Sequence, residues 1–433
     1  MFIIYDLVFL IFMLAFLPVY LLRGKFHRGF SRRLGILPPD LDLERPIWIH
    51  AVSVGEAIAV KALVTELRKA YPRKKLVIST VTATGNKIAE GLIKPGDFLT
   101  YLPLDLSFIT GPVIRKINPC IFIIAETEIW PNLIRSLYKQ KVPVITVNGR
   151  ISDGSYAGYR MIKLFIRPTL SRVRRFCVQS ATDASRLEEL GVDKKKIHTT
   201  GNVKFDMNLD ALTGINSLEY RGRLWLGPED KLLVCGSTHL GEEEQLIKVY
   251  KELLLNFPRL KLLIAPRHPE RSKDVAEVAA KNGFMPIFIS NISSACPTCV
   301  SSPVFILDVM GELLNFYASA DIVFVGGSLV KTGGHNILEP AGLKKPVIFG
   351  PHMFNFRDIT EMFLRNKAGI MVADAAELKV KVKELLENSL LAKKFGEAAH
   401  ELISKNSGAT MRNIGIIKEL LELGEVLCRE ISI

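Results

Sequence analysis

Cysteine is scarce, with six residues in a chain of 433. Cys120, Cys177 and Cys235 lie in apolar, strand-like runs, where a thiol packs as a small hydrophobe. Cys296 and Cys299 form a lone CxxC, and Cys428 stands alone near the C-terminus. Without a second pair, or a strand leading into a thioredoxin-like turn, the CxxC reads as free thiols in a loop, not as a zinc or redox centre. Scattered cysteine of this kind fits a reducing compartment. Zinc-finger spacings, RNA-binding signatures and basic low-complexity tails are missing too, so no nucleic-acid partner is expected. Neither G-x-G-x-x-G nor a Walker A lysine at P-loop spacing occurs, which disfavours a nicotinamide oxidoreductase and an ATP-dependent enzyme.

What is present is apolar and basic. Hydrophobic residues make up 48% and charged residues 23%, the balance of a folding chain. The length suggests two domains. A formal net charge of +13 suggests an anionic partner, either an acidic membrane surface or phosphorylated substrates. Phe2 to Leu22 is nearly all apolar, broken only by Asp6, and is followed by Arg23, Lys25, Arg28, Arg32 and Arg33. About 20 apolar residues can span a bilayer core, so residues 1–23 are expected to form a membrane anchor. No positive region precedes the run and no small-x-small site follows it, which argues against a removable signal peptide. The positive-inside rule then places the rest of the chain in the cytoplasm. A buried first helix, or one lying in the interface, is the alternative.

From Pro46 onward, short apolar runs alternate with helical patterns. "PIWIHAVS", "KLVISTVTA", "FLTYLPLD", "CIFIIAETE", "VPVITVNGR" and "RRFCVQS" read as strands. A pause near 206–230 precedes a second series: "KLLVCGST", "KLLIAPRH", "MPIFIS", "VFILDV", "ADIVFVGGS" and "KPVIFGP". The expected class is α/β, with two doubly wound domains over residues 24–205 and 206–410. Residues 411–433 form a final helix that could stay on the second domain or cross back to the first. Open parallel sheets bind ligands beyond the carboxyl ends of their strands, so functional residues should follow the strand runs.

Three acids do so in the first half. Glu56 opens the helix after the first strand, where it either caps the helix or does chemistry. Glu126 and Glu128 follow "IFIIA", and their spacing suggests that one faces the site while the other packs or caps. Lys204, in "GNVKFD", reads by itself as a solvated charge. "YRMIKLFIRPTLSRVRR" interleaves cations and apolar residues, as a surface helix or a face for acidic lipid would. In the second half, Arg267 and His268 follow a strand in "APRHPER", where a guanidinium suits a phosphate. Met310, Gly311 and Glu312 follow another, with Glu312 reading as a capping acid and Gly311 backbone as a possible base or ribose contact. In "VGGSLVKTGGHNILEPAG" the glycines would let backbone amides approach an anion. Glu339, in the helix after them, could accept hydrogen bonds from ribose hydroxyls.

Taken together, "HAVSVGE", "ETEIWPN", "NGRIS", "GNVKFD", "APRHPER", "DVMGEL" and "GGHNILEP" resemble, in this order, the bacterial 3-deoxy-D-manno-octulosonic acid (Kdo) transferases. The resemblance implies a GT-B fold, two Rossmann-like domains facing across a cleft, with the last helices returning to the first domain. It implies inverting transfer of Kdo from CMP-Kdo to a lipid A precursor in lipopolysaccharide synthesis, at the cytoplasmic face of an anionic inner membrane. Glu56 resembles the catalytic base, while Glu126 and Lys204 match transition-state-stabilising positions. Arg267, His268, Met310, Gly311, Glu312, Asn336, Ile337, Leu338 and Glu339 match CMP-contacting segments. At a helix N-terminus Glu56 is expected to be ionised. No cofactor and no protein-bound divalent metal are expected. A nucleotide-sugar epimerase, a different membrane-associated glycosyltransferase, or a membrane-tethered nucleotide-binding protein without catalysis would share the architecture. The first two would not need "SVGE" and "ETEIWPN" together, and the third would lose nothing measurable on replacement of Glu56.

Overall fold

In the computed structural model, residues 2–22, 29–207, 214–292 and 302–430 are described, the side chains of 2, 3, 16–22 and 423–430 excepted. Cys296, Cys299 and the basic positions Arg23, Lys25 and Arg28 lie outside them. The chain divides into two units, Met1–Asp206 with Asn406–Ile433, and Met207–Lys405.

The first unit holds strands β1 (Ile47–His50), β2 (Leu76–Thr80), β3 (Phe98–Tyr101), β4 (Ile121–Ala125), β5 (Val144–Gly149), β6 (Arg175–Val178) and β7 (Ile197–Thr199). They pair in parallel in the order β3-β2-β1-β4-β5-β6-β7. β1 and β4 are buried along their whole length, since helices cover both faces of the sheet. Alternate side chains feed two cores. Trp48 and Phe122 enter one. Ile47, Ile49, Ile121 and Ile123 enter the other, which is closed by Ile414, Ile417 and Leu420 of the final helix, Ala409–Glu430. Asp206 starts that helix by accepting the amides of Gly408 (2.6 Å), Ala409 (3.1 Å) and Thr410.

The second unit holds β8 (Lys231–Thr238), β9 (Leu260–Pro266), β10 (Pro286–Phe288), β11 (Val304–Ile306), β12 (Ile322–Val325), β13 (Val347–Phe349) and β14 (Ile370–Met371). These too are parallel, in the order β10-β11-β9-β8-β12-β13-β14. β7 and β14 are edge strands of three and two residues, too short to leave a sequence pattern. The strand order reverses between β1 and β4 in the first sheet and between β8 and β12 in the second, where β10 and β11 are also exchanged at the edge. Such switch points are where ligands bind in open α/β sheets.

The N-terminal helix Phe2–Leu22 does not support the expected membrane-spanning anchor. Among the described residues no helix is long and apolar enough to cross a membrane. Its first turns dock on the first unit instead. Tyr5 donates to Asp105 (2.9 Å), and Asp6 accepts from the Ser107 amide (3.1 Å), the Ser107 hydroxyl (2.6 Å) and Asn132 Nδ2 (2.7 Å). Phe9 and Met13 pack on the core behind them. Asp6, the one charge in an apolar run, is thus a docking contact.

Candidate active site

Glu56 lies in the first turn of the helix Val54–Ala59, immediately beyond β1. Its Oε2 accepts the Val52 amide at 2.7 Å and its Oε1 accepts the Ser53 hydroxyl at 3.0 Å. These are the bonds of a capping carboxylate, reaching back over the turn that the helix leaves open. The carboxylate is nevertheless only 7% exposed. Burial, opposed by the Val52 bond and reinforced by the charges of Glu126 and Glu128, lifts its pKa to about 7. The expectation of a carboxylate held ionised by its helix is corrected here. Six residues of helix oppose desolvation weakly, and the group is poised between its two forms near neutrality.

The charges of both acids after β4 act on Glu56 through space. Glu128 is itself raised by burial and by Glu126. Glu126 occupies φ 59°, a left-handed conformation that costs a non-glycine residue about 1–2 kcal/mol. β1 and β4 are neighbours, so three carboxylates gather at the switch point of the first sheet. Lys204 sits in the turn Val203–Phe205 beyond β7, half-buried. That turn is tied to the end of β5, where the Val203 amide donates to Asn148 Oδ1 at 3.1 Å.

In the second unit, Arg267 and His268 are exposed just beyond β9. Arg267 acts electrostatically on His335 and on Glu339. Asn336 joins them, donating to Glu339 Oε1 (3.0 Å) and accepting the Leu338 amide (3.1 Å). Burial raises the Glu339 pKa. Ile337 and Leu338 send their side chains into the core, leaving only their backbone for a ligand. Met310 is 75% exposed, and Gly311 takes φ 87° beside it. Glu312 is already engaged by Arg223 at 2.8 Å, a pair whose guanidinium lies over Tyr220 and Phe316.

One sequence expectation fails here. The first glycines after β12 were to offer amides to an anion, but at Gly327 to Leu329 a carboxylate of the protein itself has taken them, and the Gly326 and Gly334 amides are bonded to backbone carbonyls. Glu242, wholly buried, accepts the amides of Gly327 (2.7 Å), Ser328 (2.9 Å) and Leu329 (2.9 Å), and that of His239 (2.9 Å). The glycines serve close packing: a Cβ on Gly326 would stand 2.6 Å from the Ser237 carbonyl oxygen. His239, beyond β8, and His335, in the loop after β12, stack with Nε2 atoms 2.8 Å apart. Neither histidine, nor Glu242, was singled out from sequence. The available signal was their place after the strands that flank the switch point. Among the described residues no group of three or more His, Cys, Asp or Glu is placed to hold a metal ion.

Comparison with known proteins bears on the family and the fold. Residues 28–207 match the family model of 3-deoxy-D-manno-octulosonic-acid transferase (kdotransferase). The 3-deoxy-D-manno-octulosonic acid transferase of Haemophilus influenzae is 37% identical over 94% of this chain and 93% of its own length. That of Chlamydophila psittaci is 34% identical over 82% of this chain and 81% of its own. Among solved structures, a glycosyltransferase from Rickettsia africae superposes with TM-score 0.55 over 87% of this chain and 99% of its own, at 18% identity. A UDP-GlcNAc 2-epimerase from Neisseria meningitidis gives 0.55 over the same shares at 15%, a likeness of GT-B-type fold alone. By its similarity across nearly the whole of its relatives' length, the chain belongs to the 3-deoxy-D-manno-octulosonic acid transferase family of enzymes.

Proposed function

We propose that this Kdo transferase moves Kdo from CMP-Kdo to a phosphorylated lipid A precursor in lipopolysaccharide synthesis, inverting the anomeric carbon in one displacement. The observation that carries this reading is the Glu56 carboxylate, buried beside Glu126 and Glu128 with its pKa raised to about 7. A base works best when its pKa lies near the working pH, since it is then both deprotonated and proton-hungry. Glu56 takes the proton of the acceptor hydroxyl as that oxygen bonds to the anomeric carbon. The bond from that carbon to the phosphate oxygen breaks, and its electron pair leaves with CMP. Positive charge develops on the sugar ring, which Glu126 offsets, and negative charge on the phosphate, which Arg267 and Lys204 offset. The donor is held by the second unit through Arg267, His268, the backbone of Met310 to Glu312, and Asn336 to Glu339. The acceptor is held by the first.

We place the enzyme at an anionic membrane surface and do not thread it through the bilayer. Ile4, Leu7, Val8, Ile11, Phe12 and Leu14 are exposed along the docked N-terminal helix, as are Met161 and Leu164 near Arg160 and Lys163. Apolar side chains beside cations suit insertion among acidic headgroups. The deciding experiment is incubation with CMP-Kdo and a tetra-acylated lipid A precursor, with product mass read out. Addition of one or more Kdo units is expected. Turnover with UDP-sugars in place of CMP-Kdo, or nucleotide binding without any product, would overturn the reading.

A further inference from the structure

The second unit contains two histidines, His239 and His335, that nothing above assigns to a ligand, beside His268, which is already read as a CMP contact. His239 and His335 lie with their rings nearly parallel, 7° apart and 5.1 Å between centroids. Their Nε2 atoms are 2.8 Å apart, so one donates to the other and the pair shares a proton. His268 stands edge-on to His239, with centroids 6.1 Å apart. His239 leaves the end of β8 and His335 the loop after β12, the two strands between which the order of the sheet reverses. Glu242 fixes both sides at once, through the His239 amide and the three amides that follow Gly326. It also removes those amides from the set that could meet a phosphate.

Resting on the reading that the second unit holds the nucleotide donor, we infer that His239 and His335 are the ligands of the donor phosphate, taking up a proton when it binds. Once both Nε2 atoms carry hydrogen they can no longer bond to each other, and a turn of the rings lets each donate to an oxygen of one phosphate. Without the anion that state is disfavoured. Burial lowers the affinity of both rings for a second proton, and His335 falls to about 4. The charges acting on His239 are Glu242 and Glu243, which favour the cation, and His268 and Arg271, which oppose it. Those acting on His335 are His239, Arg267 and His268, all opposing. A phosphate supplies the missing negative charge, so its arrival draws one proton from solvent onto the pair. During transfer the anomeric C–O bond breaks with its electrons on the phosphate oxygen. The imidazolium hydrogen bonded there offsets that charge, while the acceptor proton goes to Glu56. Glu242 is a positioning residue: it touches no substrate but sets where the two rings stand.

The test is calorimetry of CMP binding to the full chain at pH 7 in two buffers of different ionisation enthalpy. Wild type should take up close to one proton per CMP, and CMP should bind more tightly as pH falls from 8 to 6. Cytidine, which has no phosphate, should show no uptake. H239Q and H335Q, checked for folding by thermal melting, should bind CMP at least about tenfold more weakly and without uptake. Loss of uptake in these variants separates the pair from the phosphate's own titration. The wild-type measurement stands alone if either variant fails to fold. CMP binding by wild type with no proton exchange, or uptake and affinity unchanged in H239Q and H335Q, overturns the pair while leaving the donor reading intact. An absence of CMP binding at any concentration sinks the donor reading, and the pair with it.

Discussion

Glu56 and Glu242 occupy the same local sequence. Each follows the first strand of its unit as x-Gly-Glu, at Val54-Gly55-Glu56 and Leu240-Gly241-Glu242, and each reaches back to an amide before the turn. Their surroundings separate them. Glu242 meets four amides and is consumed as a structural anion. Glu56 meets one amide, one hydroxyl and two like charges. Glu56→Gln should therefore cut turnover by at least about 100-fold, the usual contribution of a general base, with CMP affinity unchanged by calorimetry. In the wild type, kcat should fall about tenfold per pH unit below the pKa near 7, as Glu56 gains its proton. The same shift makes a stability prediction. Folded Glu56 keeps its proton up to about pH 7, against an ordinary 4.5. Its stabilising contribution is thus complete below pH 4.5 and is lost as pH rises through 7. Relative to wild type, Glu56→Gln should gain about 3 kcal/mol between pH 4 and pH 8, read as a rise of several degrees in Tm difference. A difference that is flat or opposite in sign would mean that the group is not buried as described.

At the scale of elements, the final helix decides how the first unit is closed. Its apolar face supplies Ile414, Ile417 and Leu420 to the core under β1 and β4, the strands that lead into Glu56, Glu126 and Glu128. Its N-terminus depends on Asp206, whose carboxylate accepts three amides that would otherwise be open. Asp206→Ala should cost about 1–2 kcal/mol, the worth of a good cap, and should raise the rate of proteolysis in the last helix before global unfolding. Activity should fall with it at temperatures where the helix opens. The Ser180 cap of the helix Ala181–Glu189 is the control: its loss should cost a similar amount of stability without releasing the C-terminus.

For the whole molecule, the question is how a basic, apolar-faced enzyme meets a lipid acceptor. Replacement of Ile4, Leu7, Ile11 and Leu14 by serine removes exposed apolar surface while sparing Tyr5, Asp6, Phe9 and Met13, which dock the helix. The variant should fold as wild type and keep its rate on detergent-dispersed acceptor. It should sediment at least about tenfold less with vesicles of acidic phospholipid, since four exposed aliphatic side chains contribute several kcal/mol of insertion. High salt should release part of the wild type by screening its cations. Equal sedimentation of both proteins would locate the membrane contact elsewhere.

Much of this was legible in the chain before any fold was drawn. β-branched runs alternating with amphipathic segments determined two parallel sheets, because period and length leave little else for a buried strand between helices. The strand-end rule put Glu56, Glu126, Arg267 and His268 just beyond strands, and there they stand, at the ends of β1, β4 and β9. Three features were not legible. Asp6 read as a blemish in a spanning helix, and only its contacts with Ser107 and Asn132 made it a dock. The glycines after β12 read as an anion cradle, but Glu242, 85 residues before Gly327, already holds the amides of residues 327–329. The Glu56 pKa depends on acids about 70 residues away, whose charges reach it only because β1 and β4 are adjacent. Local sequence determines which groups stand at a strand end, whereas desolvation and charge coupling act through space, so the tertiary structure alone decided which carboxylate is held by four amides and which one is left near neutrality.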